Sequence, residues 1–522
     1  MSNAGRTTVM TPKAMMATSH PLAVQAGLDV MREGGNAIDA CISATAVLDV
    51  VEPMSTGIGG DLFALVWHAE SKQLYALNAS GAYPKNIDLD YFKGMSEMPA
   101  QGIHAVSVPG TTRGWETLLK RFGSKPLSRL LEPAIGYASE GFPVSEIVAR
   151  RWAQYTEWLS DHDASKKTFL PEGRAPRAGE IFRNSDLAKS LTSLANEGAD
   201  ALYEGEISEQ IVSESRKLGG HLQAEDLKSF QPSWVEPISA AFRDVTVYEQ
   251  PPNDQGLIAL LALNIAEGFD LSGMEHNSAE YLHVLIEATK LAFADGLKYI
   301  ADPQFAEIPI EALLSDDYSA SRRSLIGDRA ISSTSHGLPE GGTVYISAAD
   351  PQGNVVSFIE SVFMPFGSGV TVPGTGMILQ NRAALFSLDP NHSNSIQPGK
   401  RPLHTIIPAM AFRNDKPWLS FGMVGGFMQP QGHLQLLSSL IEHGLSPQEA
   451  IEAPRFRYFD GNRVALETGI SDQTRKKLVD KGHDIFDGDN YFGGAQMIMI
   501  DPESGVLHGG SDPRKDGCVQ GF

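Results

Sequence analysis

The sequence predicts a layered fold of α-helices and β-strands in one compact unit. Three observations point to it. Helical periodicity prevails in the first part of the chain, and strand patterns prevail after Thr343. No internal repeat or low-complexity tract interrupts the 522 residues, which are enough for a large core and nominally two to four domains. Residues 303–342, which lose periodicity, form the only plausible linker.

The elements follow in order. Ser19-His20-Pro21 reads as a helix start and Gly34-Gly35 as its stop. Asn36 can cap a second helix from Ala37 to about Asp49, and "GIGGDLFALVW" turns into a strand from Leu62 to Trp67. Pro and Gly punctuate 80–125. "PLSRLLEPAIGYASEG" and "DLAKSLTSLANEG" are amphipathic helical pieces within a polar region from about 126 to 230. "FRDVTVYEQPPNDQG" is a strand ending in a turn. Leu282, Leu285, Ile286, Thr289, Ala292 and Phe293 share one face of a helix in "SAEYLHVLIEATKLAFADGLKYI". Val344 to Ile346 and Val355 to Val362 flank the turn Asp350-Pro351-Gln352-Gly353-Asn354 as a hairpin. A helix covers about Gln431 to Ile441, and a second hairpin turn lies at Asp501 to Gly505.

Composition narrows the function. The net charge of -21 leaves no basic surplus to neutralise nucleic-acid phosphates or to sit on an anionic membrane. No run reaches the roughly 18 apolar residues needed to span a bilayer. The N-terminal stretch lacks a continuous apolar core, so no signal peptide is expected, and a cytoplasmic location is the default reading. Cys41 and Cys518 make neither a disulfide framework nor a zinc site, and no metal or organic cofactor is implied.

One feature calls for explanation. A strand begins on Thr343 directly behind Gly341-Gly342, deep inside the chain. As an ordinary strand residue, Thr343 carries no chemistry. As the start of a new polypeptide, it carries a hydroxyl nucleophile and an amine base on one residue.

Several segments together resemble the γ-glutamyltransferase family of N-terminal-nucleophile hydrolases. They include "HPLAVQAGLDVMREGGNAIDA", "VEPMSTGIGGDLF", "VPGTTRGW", "YEQPPNDQG", "EATKLAFAD", "GGTVYISAADPQGNVVS", "GKRPLHTIIPAM", "GMVGGFMQPQG" and "GGSDPRKDG", in family order from about residue 14 to the C-terminus. The resemblance implies an αββα sandwich built from one autocleaved precursor. It implies cleavage between Gly342 and Thr343, a large subunit 1–342 with a mobile end at 303–342, and a small subunit 343–522. The two would form one structural domain as an αβ heterodimer, alone or as (αβ)2. It implies Thr343 as nucleophile and α-amine base, Gly425 and Gly426 as oxyanion donors, and Ser361 as the hydroxyl that orients Thr343. Gly60-Asp61 is placed near the site.

The chain departs from the family pattern where glutamate would be held. Ser80 stands for the carboxylate-binding Arg, Phe363 for an Asn, Arg382 for a Gln, and Leu385 for the Asp that binds the amino group. His404 and Thr405 stand for paired serines. A desolvated ammonium and carboxylate each need charge-assisted partners, and leaving one unpaired costs about 1–3 kcal/mol or more. The expected substrate is therefore the amide of a small carboxylate-bearing acyl group without an α-amino group, as in the acylase-like and oxamate amidohydrolase-like branch. Arg382 reads either as the grip on the distal carboxylate or as a structural Arg paired to an acidic neighbour. His404 reads either as a substrate contact or as pocket wall. Two alternatives stand: a genuine γ-glutamyltransferase or glutathione hydrolase with a relocated carboxylate partner such as Arg113, and an inactive scaffold that stays uncut.

Overall fold

The computed structural model describes residues 5–331, 341–488 and 491–522. Two seven-stranded sheets face each other, and helices cover both outer faces. The first sheet runs in the order Cys518–Gly521, Met15–Thr18, Gly342–Ala349, Val355–Phe363, Asp61–His68, Gln73–Ala79, Ser233–Val235. The second runs Val9–Thr11, Leu507–Ser511, Gly494–Ile500, Lys416–Val424, Ala409–Arg413, Val245–Glu249, Ile238–Phe242. Neighbouring strands are antiparallel in both sheets. The expected four-layer αββα sandwich is present, but strands before Thr343 contribute to both sheets. The early strands are short, so they show little alternation in sequence.

The period-2 side-chain alternation of a strand builds the layers. Val344, Ile346 and Ala348 point into the first helical layer, with Ala23, Val24, Ile42, Ala46 and Leu131. Tyr345 and Ala349 point the other way, into the seam between the sheets, with Phe63, Ile359, Val424, Met410 and Phe412. At Gly422 the seam is tight: a Cβ there would lie 2.3 Å from the Tyr345 ring. Hydroxyls knit the same place. Ser347 Oγ donates to Ser420 Oγ at 2.7 Å, and Ser420 Oγ donates to the Val356 carbonyl at 3.1 Å.

Local signals set the helices. Asn36 caps Ala37–Val51 in a reciprocal box with Asp39, and Ser278 caps Ala279–Tyr299. Gly256–Ala266 and Met428–Glu442 pack with Ala279–Tyr299 against the second sheet. A small sheet of Phe456–Asp460, Arg463–Leu466 and Asp484–Asp487 sits beside them. Both cysteines are free. No helix among the described residues is long and apolar enough to cross a membrane.

The segment 303–342 differs from expectation. Ile310–Leu313 and Asp316–Arg323 are helical, and the chain is docked as far as Ile331. Arg322 Nε donates to Asp295 at 2.7 Å, and Arg323 donates to the Asn264 and Ile265 carbonyls at 2.9 and 3.1 Å. Ile331 N donates to Glu287 at 2.9 Å, while Lys290 Nζ reaches the Ile331 carbonyl at 2.7 Å and Glu287 at 2.9 Å. These pairs depend on tertiary partners, which periodicity does not reveal. The remaining part of the expected mobile end, 332–340, lies outside the described residues.

Lys290 and Glu287 form a buried ion pair, with side chains 2% and 0% exposed. Removing one partner of such a pair strands the other charge and costs about 3–5 kcal/mol. Lys290→Ala is expected to lower the thermal unfolding temperature clearly, and the double change Lys290→Met with Glu287→Gln is expected to recover part of the loss.

Candidate active site

Thr343 sits at an irregularity in the hairpin. Gly342 pairs with Phe363 and Val344 with Glu360, so Thr343 alone faces Ser361 and Val362. Such a bulge re-aims side chains and ends regular pairing. Here it brings two hydroxyls onto one carbonyl. Thr343 Oγ1 donates to the Gly342 carbonyl at 2.7 Å, and Ser361 Oγ donates to the same oxygen at 2.6 Å. The two hydroxyl oxygens lie 3.2 Å apart. Phe363 N donates to Ser361 Oγ at 2.8 Å and fixes its position. Phe363 has φ +75°, a left-handed conformation uncommon for a side-chain-bearing residue. Its ring centroid lies 4.5 Å from the Arg382 guanidinium carbon.

The glycines in front of Thr343 are there for want of space. A Cβ on Gly342 would lie 2.7 Å from the Met54 carbonyl oxygen. A Cβ on Gly341 would lie 2.7 Å from both N and Cα of Gly426. Gly341 thus lies flat on the Gly425-Gly426 pair, which follows strand Lys416–Val424 with φ +125° and +62°. Gln255 Nε2 donates to the Gly426 carbonyl at 3.0 Å and the Thr405 carbonyl at 2.6 Å, tying the pair down.

Behind Ser361 lies Arg382, wholly buried. Nη1 donates to Thr405 Oγ1 at 2.7 Å and Nη2 to Ser361 Oγ at 3.3 Å. Nε has no hydrogen-bond partner, and no carboxylate lies within ion-pair distance among the described residues. Burial pulls its pKa down, against the Asp61 and Asp254 charges. A guanidinium nonetheless stays protonated near neutral pH. Its positive charge reaches the Gly342 carbonyl through Ser361, which accepts from Arg382 while donating to that carbonyl. The expectation of an Arg ion-paired to an acidic neighbour is not met.

Asp61 and His404 form a second buried layer. His404 Nε2 is 3.1 Å from Asp61 Oδ2, and Gln380 Nε2 donates to the same oxygen at 3.0 Å. Burial, then the Arg382 charge, holds the His404 pKa well below its usual value, so the ring is neutral. Burial raises Asp61 to about 7, although Arg382 and the Gly81 amide favour its charged form. Ser80 is bound up with Asn78 and Asn253, its Oγ donating to Asn78 Oδ1 at 2.7 Å.

Two clefts flank Thr343. The larger, about 1080 Å³, is lined by Phe363, Met364, Leu385, Phe386, Phe427 and Phe459 among others. The smaller, about 510 Å³, is lined by Gly341, Gly425, Arg150, Arg151, Arg457 and Arg514 among others. Ser80, Arg382, His404 and Thr405 line neither. Arg113, the candidate for a relocated carboxylate partner, is held elsewhere: it donates to Glu116 and Asp200, both at 2.8 Å. Sequence reasoning missed Gln255, Gln380 and Arg151. The first stands in the quoted "PPNDQG", which was its only signal. Among the described residues, one group of metal-binding type gathers, His283, Glu287 and His483, away from Thr343. Lys290 already pairs with that Glu287 and opposes a second cation.

Asp61 yields a pH prediction. Its folded-state pKa, about 7, lies above the ordinary 3.8. The folded protein therefore keeps a proton that the unfolded chain has lost. The group's favourable contribution is complete below about pH 4 and is lost as pH rises through 7. Asp61→Asn is expected to remove that part of the slope. The check is the difference between the wild-type and variant unfolding midpoints from pH 4 to 8.

Comparisons with known proteins place the whole chain in one family. A family model described as gamma-glutamyltranspeptidase matches residues 23–522. The glutathione hydrolase-like YwrD proenzyme of Bacillus subtilis (strain 168) is 41% identical over 526 residues, spanning 98% of this chain and 99% of that one. The oxamate amidohydrolase proenzyme of Klebsiella pneumoniae subsp. pneumoniae is 34% identical over 522 residues, spanning 97% and 98%. The crystal structure of cephalosporin acylase from Bacillus halodurans superposes with a TM-score of 0.95 at 44% identity, covering 100% of this chain and 98% of that one. The family match spans nearly the full length, and the chain belongs to the gamma-glutamyltranspeptidase family of enzymes.

Proposed function

We propose that the chain is a proenzyme that cuts itself before Thr343 and then hydrolyses the amide of a small carboxylate-bearing acyl group. The observation that carries this reading is the pair of hydroxyls, Thr343 Oγ1 and Ser361 Oγ, both on the Gly342 carbonyl. In self-cleavage, Thr343 Oγ1 adds to the Gly342 carbonyl carbon. The Gly342–Thr343 C–N bond breaks, and the hydroxyl proton ends on the Thr343 nitrogen. Water then hydrolyses the ester, leaving a Gly342 carboxylate and a free Thr343 amine. Ser361, backed by Arg382, polarises the carbonyl under attack.

The new amine supplies the base that an amide cannot. α-Amino groups titrate near about 7.7–8.0, so a useful fraction is unprotonated at neutral pH. It takes the Oγ1 proton as Thr343 attacks a substrate amide and passes it to the leaving amine as the C–N bond breaks. Deacylation repeats the steps with water: the amine takes a proton from water, hydroxide adds, and Oγ1 recovers the proton as the ester opens. The net change is amide plus water to acid plus amine. Gly425 and Gly426 face the oxyanion that forms each time. The two fragments, 1–342 and 343–522, stay together as an αβ heterodimer because both contribute strands to both sheets.

The absence of a free-glutamate set supports an acyl group without an α-amino group. Ser80 is consumed by Asn78 and Asn253, Leu385 offers no charge, and Arg113 is neutralised. An oxamate amidohydrolase and a cephalosporin acylase among the similar proteins support that reading, alongside relatives named for glutathione.

Intact-mass measurement on purified protein is the test of self-cleavage. Wild type is expected as two fragments, the smaller starting at Thr343, and Thr343→Ala as one uncut chain. A wild-type chain that stays whole after long incubation would refute the reading. Ser361→Ala is expected to slow self-cleavage on the order of 10²-fold, the usual cost of losing one donor to a developing oxyanion. A time course of fragment appearance measures it.

A further inference from the structure

We infer that Gln255 is a positioning residue for both chemical steps. Its side-chain amide orients the glycine pair that faces the oxyanion and, at the same time, the Arg382–Ser361 relay behind the Gly342 carbonyl. This rests on the proposed chemistry at Thr343 and goes further by naming the group that holds its two arms together.

The glycine pair cannot hold itself. Gly425 and Gly426 have φ +125° and +62°, and residues without a Cβ reach many backbone conformations at little cost. The direction of their N–H groups therefore depends on what grips their carbonyls. Two grips are local: Met428 N donates to the Gly425 carbonyl at 3.2 Å, and Gln429 N to the Gly426 carbonyl at 3.1 Å. A third comes from far off in sequence, Gln255 Nε2 on the Gly426 carbonyl at 3.0 Å.

The other hydrogen of the same amide leads to the other arm. Nε2 donates to the Thr405 carbonyl at 2.6 Å. Thr405 Oγ1 accepts from Arg382 Nη1 at 2.7 Å, Arg382 Nη2 donates to Ser361 Oγ at 3.3 Å, and Ser361 Oγ donates to the Gly342 carbonyl at 2.6 Å. A primary amide has two N–H donors, and both are used here, one on each arm. Because both neighbours are carbonyl oxygens, only the nitrogen end of the side chain fits between them.

Gln255 is itself firmly held. It is wholly buried and immediately precedes helix Gly256–Ala266. Gln255 N donates to the His404 carbonyl at 3.1 Å, and His404 N to the Asn253 carbonyl at 2.8 Å. Asn253 Nδ2 donates to the Pro402 carbonyl at 2.8 Å. The turn Asn253–Gln255 thus splints 402–405 along its backbone, and a positioning group is only as precise as its support. Every group that Gln255 orients lies after the proposed cut, while Gln255 lies before it. The N-terminal fragment reaches into the chemistry through this amide.

The same stretch of chain supplies a control. Gln250 is equally buried, and its Nε2 also donates to two carbonyls, those of Ala64 at 3.0 Å and Leu77 at 3.2 Å. These belong to strands Asp61–His68 and Gln73–Ala79, away from the glycine pair and the relay.

The test compares the full chain as wild type, Gln255→Met and Gln250→Met. Three quantities are measured: the unfolding midpoint, fragment appearance after cell-free synthesis, and turnover of glutaryl and γ-glutamyl 4-nitroanilides by the cut protein. Both variants are expected to lower the unfolding midpoint. Only Gln255→Met is expected to slow self-cleavage and to lower kcat, each by about 10–100-fold with KM nearly unchanged, as displaced oxyanion donors would. Equal rates in Gln255→Met and wild type overturn the inference. So do equal losses in the two variants, which would make the effect one of packing. A wild type that stays uncut refutes the proposed chemistry and the inference with it. A cut wild type that hydrolyses neither anilide refutes only the amide-hydrolase reading, and the cleavage time courses then decide Gln255. Should Gln255→Met fail to fold, Gln255→Glu takes its place. A carboxylate there repels both carbonyls, whereas its protonated form restores one donor. Its self-cleavage rate relative to wild type is therefore expected to climb as the pH is lowered from about 8 to 6. A ratio that does not climb overturns the inference.

Discussion

The contact on which the rest of the molecule depends is the flat seat of the Tyr345 ring on Gly422. Tyr345 stands two residues past Thr343, on a strand of one sheet. Gly422 stands three residues before Gly425, on a strand of the other. Fixing one against the other fixes how far the hydroxyl of Thr343 lies from the backbone of the glycine pair. The serine hydroxyls of 347 and 420 lock the same register. Interiors packed this densely do not deform gradually. The two sheets therefore act as rigid jaws whose ends meet at Gly341 and Gly342, where only glycines leave room.

Much of this is written in the chain as chemistry, and less of it as pattern. A Thr behind two glycines at the head of a β-rich run, a second glycine pair ahead of a helix, and Ser361 on the paired strand were all recoverable. So were the capped helices at Asn36 and Ser278. The four-layer order was readable only through resemblance, because Val9–Thr11, Met15–Thr18 and Ser233–Val235 are too short to show alternation. The docking of 310–331 was invisible because it is made by single charged side chains, such as Lys290 and Arg322, meeting partners far off in sequence. Arg382 was visible as an oddity. Its surroundings were not, since a buried guanidinium without a facing carboxylate is the opposite of what burial usually demands.

Charge is handled by separation. The surface as a whole repels anions, yet cationic and neutral groups gather close to Thr343: Arg382 behind the carbonyl, a His404 ring that burial keeps neutral, and the arginines of the smaller cleft. A site that stabilises oxyanions benefits from such surroundings, because local positive charge in a low-dielectric setting acts strongly on negative charge that develops during reaction. Asp61, with its raised pKa, is one group through which pH enters this arrangement.

The anchored stretch ending at Ile331 bears on how the outer layer is held. Its bonds run to Asn264, Ile265, Glu287, Lys290 and Asp295, all on the two long helices that cover the second sheet. They are side-chain contacts of the folded layer and do not draw on the backbone beyond residue 331. A break in the chain further along would therefore leave this stretch seated where it is, and the layer over the second sheet owes its cohesion to cross-bracing and not to an unbroken strand of peptide.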